Sequence, residues 1–99
     1  MIEGRRKLNL TMKVTDSVVR LTGIISNYSK EESANTVKKF QGWAEETRIF
    51  LKNDFDDEKA ENFSRLAKPS KKNISPEEIS DLSRIHADYL LQLIKETVS

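Results

Sequence analysis

The sequence predicts an all-α fold, an antiparallel helical bundle of about four helices, three long and one short. Three observations carry that prediction. Helix-start signals coincide at Ile74-Ser75-Pro76-Glu77-Glu78-Ile79. Apolar residues recur at helical spacing along most of the chain. The connections between periodic segments are short, which makes neighbours in sequence neighbours in space.

The first helix is expected over 8–28. Leu10, Val14, Val18, Leu21, Ile24, Ile25 and Tyr28 share one face when the chain is wound at helical pitch. A strand is the competing reading for 8–15, where Leu8, Leu10, Met12 and Val14 alternate with Asn9, Thr11 and Lys13. Asp16 would then cap a shorter helix from Ser17. The long helix is preferred because one stripe accounts for more of the apolar residues, although Gly23 weakens it by about 1 kcal/mol relative to Ala. Asn27 to Ser29 reads as a turn, and Ser29-Lys30-Glu31-Glu32 has the capping-box pattern that would open a second helix over 30–53. That helix carries Val37, Phe40, Trp43, Ala44, Thr47, Phe50 and Leu51 on one face, so it is expected to be the central element.

A short helix follows over 56–67, capped by Asp56 or Asp57, with Ala60, Phe63, Leu66 and Ala67 inward. Acids in its first turn complement the positive end of the helix. Pro69 prevents continuation, and 68–75 forms the main loop. The last helix is expected over 76–97. Ser75 caps its free N–H groups, Pro76 sits where a missing N–H costs nothing, Glu78 completes the capping box, and Ile74 staples onto Ile79. Its inner face runs Ile79, Leu82, Ile85, His86, Tyr89, Leu90, Leu93 and Ile94. The expected core is Val18, Leu21, Ile25, Val37, Phe40, Trp43, Phe50, Leu51, Phe63, Ile79, Leu82, Tyr89 and Leu93.

At 99 residues the chain is one domain, 1–99. Roughly 60–65% of the surface of such a chain is buried on folding, enough for one modest core. A net charge of +1 gives no global push toward nucleic acid or anionic membrane. The absence of cysteine excludes disulfides, thiol catalysis and thiolate metal sites. No apolar run is longer than the three residues of Tyr89-Leu90-Leu91, so no segment spans a bilayer, and a cytoplasmic setting is the default. Ile2-Glu3-Gly4-Arg5 matches the recognition sequence of the clotting protease used to remove expression tags. Residues 1–7 are therefore either a tag remnant or a natural start, and no role is assigned to them.

Few constellations suggest chemistry. His86 is the only histidine, lies in an apolar face, and lacks the converging partners of a metal site or a catalytic base. Asp54, Asp56 and Glu58 alternate as in a calcium loop, but Lys59 and Arg65 stand where an EF-hand needs Gly and Glu. Arg5, Arg6, Lys7 and Lys13 form one basic cluster and Lys68, Lys71 and Lys72 another; together they would attract phosphate only if the fold joined them. Asn9, Asn27, Asn62 and Asn73 begin sequons without a secretion signal. No catalytic, cofactor or metal site is expected, and the chain is read as not an enzyme.

The suggestive feature is a second set of apolar residues. Leu8, Met12 and Val19 fall opposite the first helix's main stripe, and Leu91 and Val98 extend the last helix's apolar surface beyond one seam. These five are the candidate interface, either with another helix of this chain or with a partner. The expected role is a protein–protein interaction module, self-associating as a homodimer or serving as the N-terminal helical domain of a larger protein. In length and helix count the chain is similar to small bacteriocin immunity proteins. That resemblance implies an alternative, a free-standing antitoxin or immunity-type inhibitor, although no family motif transfers and the balanced charge departs from the basic balance common there. A nucleic-acid adaptor using Lys68–Lys72 is a further alternative, disfavoured by the charge. Usage rich in Lys, Asn, Ile and Ser points to a bacterial, phage or plasmid source.

Overall fold

Helices α1 (Ile2–Ser26), α2 (Ser33–Asp54), α3 (Asp57–Ser64) and α4 (Pro76–Val98) form a bundle in the computed structural model. The structure describes residues 2–28, 33–72 and 74–98, with side chains from residue 5 onward, and no strand occurs among them. The capping box expected at 29–32 and the sequon at Asn73 lie outside the described residues.

Cross-helix contacts fix the topology. Lys13 pairs with Asp54 at 3.2 Å, Arg20 pairs with Glu46, and the Trp43 N–H donates to the Ser17 carbonyl at 2.8 Å, so α2 runs antiparallel to α1. The Tyr28 hydroxyl donates to the Ile74 carbonyl at 2.8 Å, placing the end of α1 beside the start of α4, which also runs antiparallel to α1. The Tyr89 hydroxyl donates to the Lys59 carbonyl at 2.8 Å, and the Lys59 ammonium lies 3.6 Å from Glu96. Together with the contact of Phe63 on His86, these set α3 antiparallel to α4. The chain therefore goes up, down, up and down, in a molecule of 50 × 23 × 18 Å.

The strand alternative for 8–15 is overturned, since α1 is continuous from Ile2 to Ser26. Val14, Ser17 and Leu21 are buried on one helical stripe, while Leu8 and Met12 are exposed. A strand over 8–15 would have put Leu8, Met12 and Val14 on the same side. The helix ends at Ser26 rather than 28, with the Asn27 amide and side chain both returning to the Gly23 carbonyl.

Helix α3 is shorter than the pattern suggested. Asp56 caps it, its carboxylate accepting the Lys59 N–H at 2.7 Å. At its other end the Arg65 N–H is shared between Glu61 and Asn62 carbonyls, and the Leu66 N–H bonds Phe63. That tightened last turn ends the helix at Ser64, and Ala67, expected inward, is exposed. Pro69 adds to the effect, because the residue before a proline avoids helical geometry. Eight residues of α3 cover about 12 Å of the neighbouring helices.

At the start of α4 the Glu78 N–H donates to Ser75 Oγ at 3.1 Å, and Ile74 and Ile79 are both buried in the core. The return half of the capping box takes a different partner. The Glu78 carboxylate accepts from the Ser70 N–H at 3.0 Å and from the Ser70 hydroxyl at 2.8 Å, so it ties the long loop to the helix it precedes. Ser70 offers two donors where the Ser75 backbone offers one. Those two bonds, chiefly the amide, hold the Glu78 carboxyl below its usual range.

Of the expected core, Leu21, Val37, Phe40, Trp43, Leu51, Phe63, Ile79, Leu82 and Leu93 are buried, and Val18, Ile25, Phe50 and Tyr89 are half-buried against them. Val14, Ala60, Ile74 and Leu90 join the core, as do the polar residues Ser17, Ser33, Thr36, Thr47 and His86.

Candidate functional site

The outer side of the α1–α4 pair carries every sequence-predicted interface residue. Leu8 is 59% exposed, Met12 57%, Val19 63%, Leu91 49% and Val98 61%. The fold brings most of them together. Tyr28 and Ile74 share a level at one end of the pair, and the two helices descend from there side by side. Seventeen residues below Ile74 is Leu91, and the same descent from Tyr28 reaches the level between Leu8 and Met12. Val98 lies lower again, beyond Leu8, whereas Val19 stands apart nearer the other end. Ile49 on α2 is also exposed, was not anticipated, and lies away from this face.

Sequence reasoning missed the residues that join these apolar side chains into a continuous surface. Leu8, Met12, Thr15, Val19, Thr22 and Ser26 follow one another at alternating spacings of four and three, the seam spacing of a coiled coil. None of the six is charged, in a chain whose charged fraction is 33%. Their hydroxyls are already occupied within the helix: Thr15 donates to the Thr11 carbonyl at 2.8 Å, Thr22 to Val18 at 3.0 Å, and Ser26 to Thr22 at 2.8 Å. The seam thus needs little from water, and it runs about 27 Å along α1. The four-three spacing was the available signal, hidden because Thr and Ser read as polar. The charged residues of α1 that engage another helix, Lys13 and Arg20, lie on the flank toward α2.

On the opposite side of the molecule is an aromatic cluster centred on His86. Its ring lies 5.0 Å from that of Phe40, 5.3 Å from Phe63 and 6.0 Å from Trp43, with all three contacts edge-on. The ring is 3% exposed, and burial holds its pKa below the ordinary 6.5, opposed by a hydrogen bond from Nδ1 to the Leu82 carbonyl at 2.7 Å. Because a carbonyl can only accept, Nδ1 carries the proton. A cleft of about 190 Å³ opens above the cluster, between α2, α3 and the loop that follows α3.

The two basic clusters do not meet. Arg5, Arg6 and Lys13 surround a groove with Asn53 and Asp54 at the end of α2, whereas Lys71 and Lys72 lie beside Ala34 and Lys38 near its start. The length of α2 separates them, about 30 Å. The acids of 54–61 act on their helices: Asp56 caps α3, Asp57 and Glu58 occupy its first turn, and Asp54 pairs with Lys13. Among the described residues no three His, Asp or Glu side chains converge as they would around a metal ion, and no helix is long and apolar enough to cross a membrane.

No protein-family model matches the chain, nor does any curated protein or any solved structure.

Proposed function

We propose that the chain is a non-enzymatic helical interaction module that works through the outer face of α1 and α4, with a second copy of itself as the first partner. The observation that carries this reading is the charge-free seam Leu8-Met12-Thr15-Val19-Thr22-Ser26, flanked by exposed Leu91 and Val98. Exposed apolar side chains gathered on one uncharged face commonly mark an interface. Fully burying a side chain such as Leu8 or Met12 is worth about 1.5–3 kcal/mol, and within one chain that gain is left unused. Self-pairing suits the face because a neutral seam meets its own copy without opposing like charges. A twofold axis perpendicular to the helices stacks α1 on α1 and α4 on α4, each antiparallel, with Leu91 and Met12 contributing from both copies.

Solution mass by light scattering, on the wild-type chain and on Met12→Asp, tests the reading. The wild type should approach twice 11.4 kDa as concentration rises. Met12→Asp should remain monomeric with unchanged helical circular dichroism, because Met12 contributes little to its own bundle. A wild-type chain that is monomeric throughout would refute self-pairing, and a Met12→Asp variant that still dimerises would move the interface off α1.

A further inference from the structure

We propose that the cleft above His86 binds a small aromatic molecule that carries an O–H or N–H donor. The site is separate from the α1–α4 face, and its case rests on shape, chemistry and one unmade hydrogen bond.

The shape follows from the shortness of α3. The helix ends at Ser64, so the side of Phe40 and His86 that a longer helix would have covered is spanned by the 65–69 segment instead. The resulting cleft holds about 190 Å³ and is lined by Phe40, Phe63 and Leu66 together with the polar Gln41, Ser64 and Lys68. An apolar cavity of roughly 150 Å³ is enough to hold a benzene ring, so the space suits one ring with a substituent. At the rim Arg48 is held by two bonds to Glu45, at 3.0 and 2.5 Å, so that this wall is braced.

The chemistry comes from His86, which lines the cleft and is otherwise enclosed by rings. Its Nδ1 proton is committed to Leu82, which leaves Nε2 as a lone-pair acceptor. The rings packed against His86 supply no donor. Phe40 and Phe63 have none, and the Trp43 N–H is spent on Ser17. Among the described residues no hydrogen bond reaches Nε2, and His86 is one of the residues that line the cleft. Burial lowers the basicity of the ring, which keeps Nε2 free to accept at neutral pH. A ligand that fills the cleft with carbon alone would desolvate this acceptor and leave it unmade, a cost of about tenfold in affinity or more. A ligand with a donor recovers that loss, so phenol is preferred over benzene.

The test titrates the full chain with phenol and, separately, with benzene. The readouts are the His86 and Phe ring resonances by NMR and Trp43 fluorescence, whose indole lies 6.0 Å from the His86 ring. Phenol should give saturable changes at His86, Phe40 and Phe63, and should bind about tenfold more tightly than benzene. His86→Phe keeps the aromatic packing and removes the acceptor, so the two probes should then bind alike. Ala44→Leu, which narrows the cleft from α2, should weaken both. Should His86→Phe fail to fold, the wild-type comparison of phenol with benzene and the Ala44→Leu titration still decide. Absence of saturable change with phenol overturns the proposal, as does equal affinity for the two probes in the wild type. Changes mapping instead to the exposed outer face, at Met12 and Leu91, would also overturn it.

Discussion

Trp43 and Met12 are both large apolar side chains on long helices of one small bundle, and their fates are opposite. Trp43 is 2% exposed, touches the rings of Phe40, Phe63 and His86, and ties α2 to α1 through its N–H. Met12 is 57% exposed, on a seam that faces away from every other helix. The difference teaches that apolarity in this chain serves two separate ends. In the α2–α3–α4 cluster it is consumed in folding, and each ring fixes the position of the next. On the outer α1–α4 face it contributes little to the fold and remains available for a contact outside the chain. Small polar residues sharpen the contrast. Ser17, Thr36 and Thr47 are buried on the inner side, whereas Thr15, Thr22 and Ser26 are exposed on the outer side, bonded to their own helix.

The largest effect should come from breaking the inner side. Trp43→Ala should lower unfolding free energy by about 3–5 kcal/mol in urea denaturation, enough to unfold much of a marginal domain. Met12→Ala, measured at a protein concentration where the chain is monomeric, should fall within about 0.5 kcal/mol of wild type. Comparable losses from the two would erase the distinction between the regions.

Mild acid should act on the inner side first. His86 has a folded-state pKa below its ordinary 6.5, so the unfolded chain binds a proton more readily. The neutral ring's contribution is therefore fully present above about 6.5 and is lost as pH falls from there through the lowered folded value. Denaturant midpoints should drop across that window in the wild type, and His86→Leu should flatten the drop. A variant with the same slope as wild type would mean that other groups set it. Glu78, whose carboxyl is held low by Ser70, acts at more acidic pH, because its contribution is present above its ordinary 4.5 and is lost as pH falls through the depressed folded value.

How much of this was legible in the sequence depends on how local the signal is. The start of α4 was readable because Ser75, Pro76 and Ile79 act within a single turn. Glu78 was half-readable, since its carboxylate turns to Ser70, a partner chosen by how the long loop lies. The end of α3 was misjudged because a tightened last turn wins over the apolar periodicity that seemed to continue to Ala67. The cleft followed from that missed end and could not be foreseen. The outer face was half-legible: Leu8, Met12, Val19, Leu91 and Val98 stood out, while Thr15, Thr22 and Ser26 were passed over because a helical projection ranks residues by side-chain polarity. It does not register that a hydroxyl can be satisfied by its own helix. The same ranking hid buried Ser17 and Thr47.

The smallest effect sharpens the comparison from the backbone. Gly23 in α1 and Gly42 in α2 both sit inside helices, and a methyl group added at either meets nothing within 4 Å. Neither has a positive φ. Gly23→Ala and Gly42→Ala should each stabilise the chain by about 0.5–1 kcal/mol in thermal or denaturant unfolding without changing its solution mass. A loss of stability would show that one of these glycines permits a close approach that the structure does not display.

The account turns on whether the outer face is used between chains, and the concentration dependence of the melting temperature tests that most directly. Pairing stabilises the folded chain by mass action. The wild-type midpoint should therefore climb as protein concentration is raised from micromolar to millimolar, while Met12→Asp melts at one temperature throughout. A wild-type midpoint that does not move with concentration would contradict self-association through the α1–α4 face.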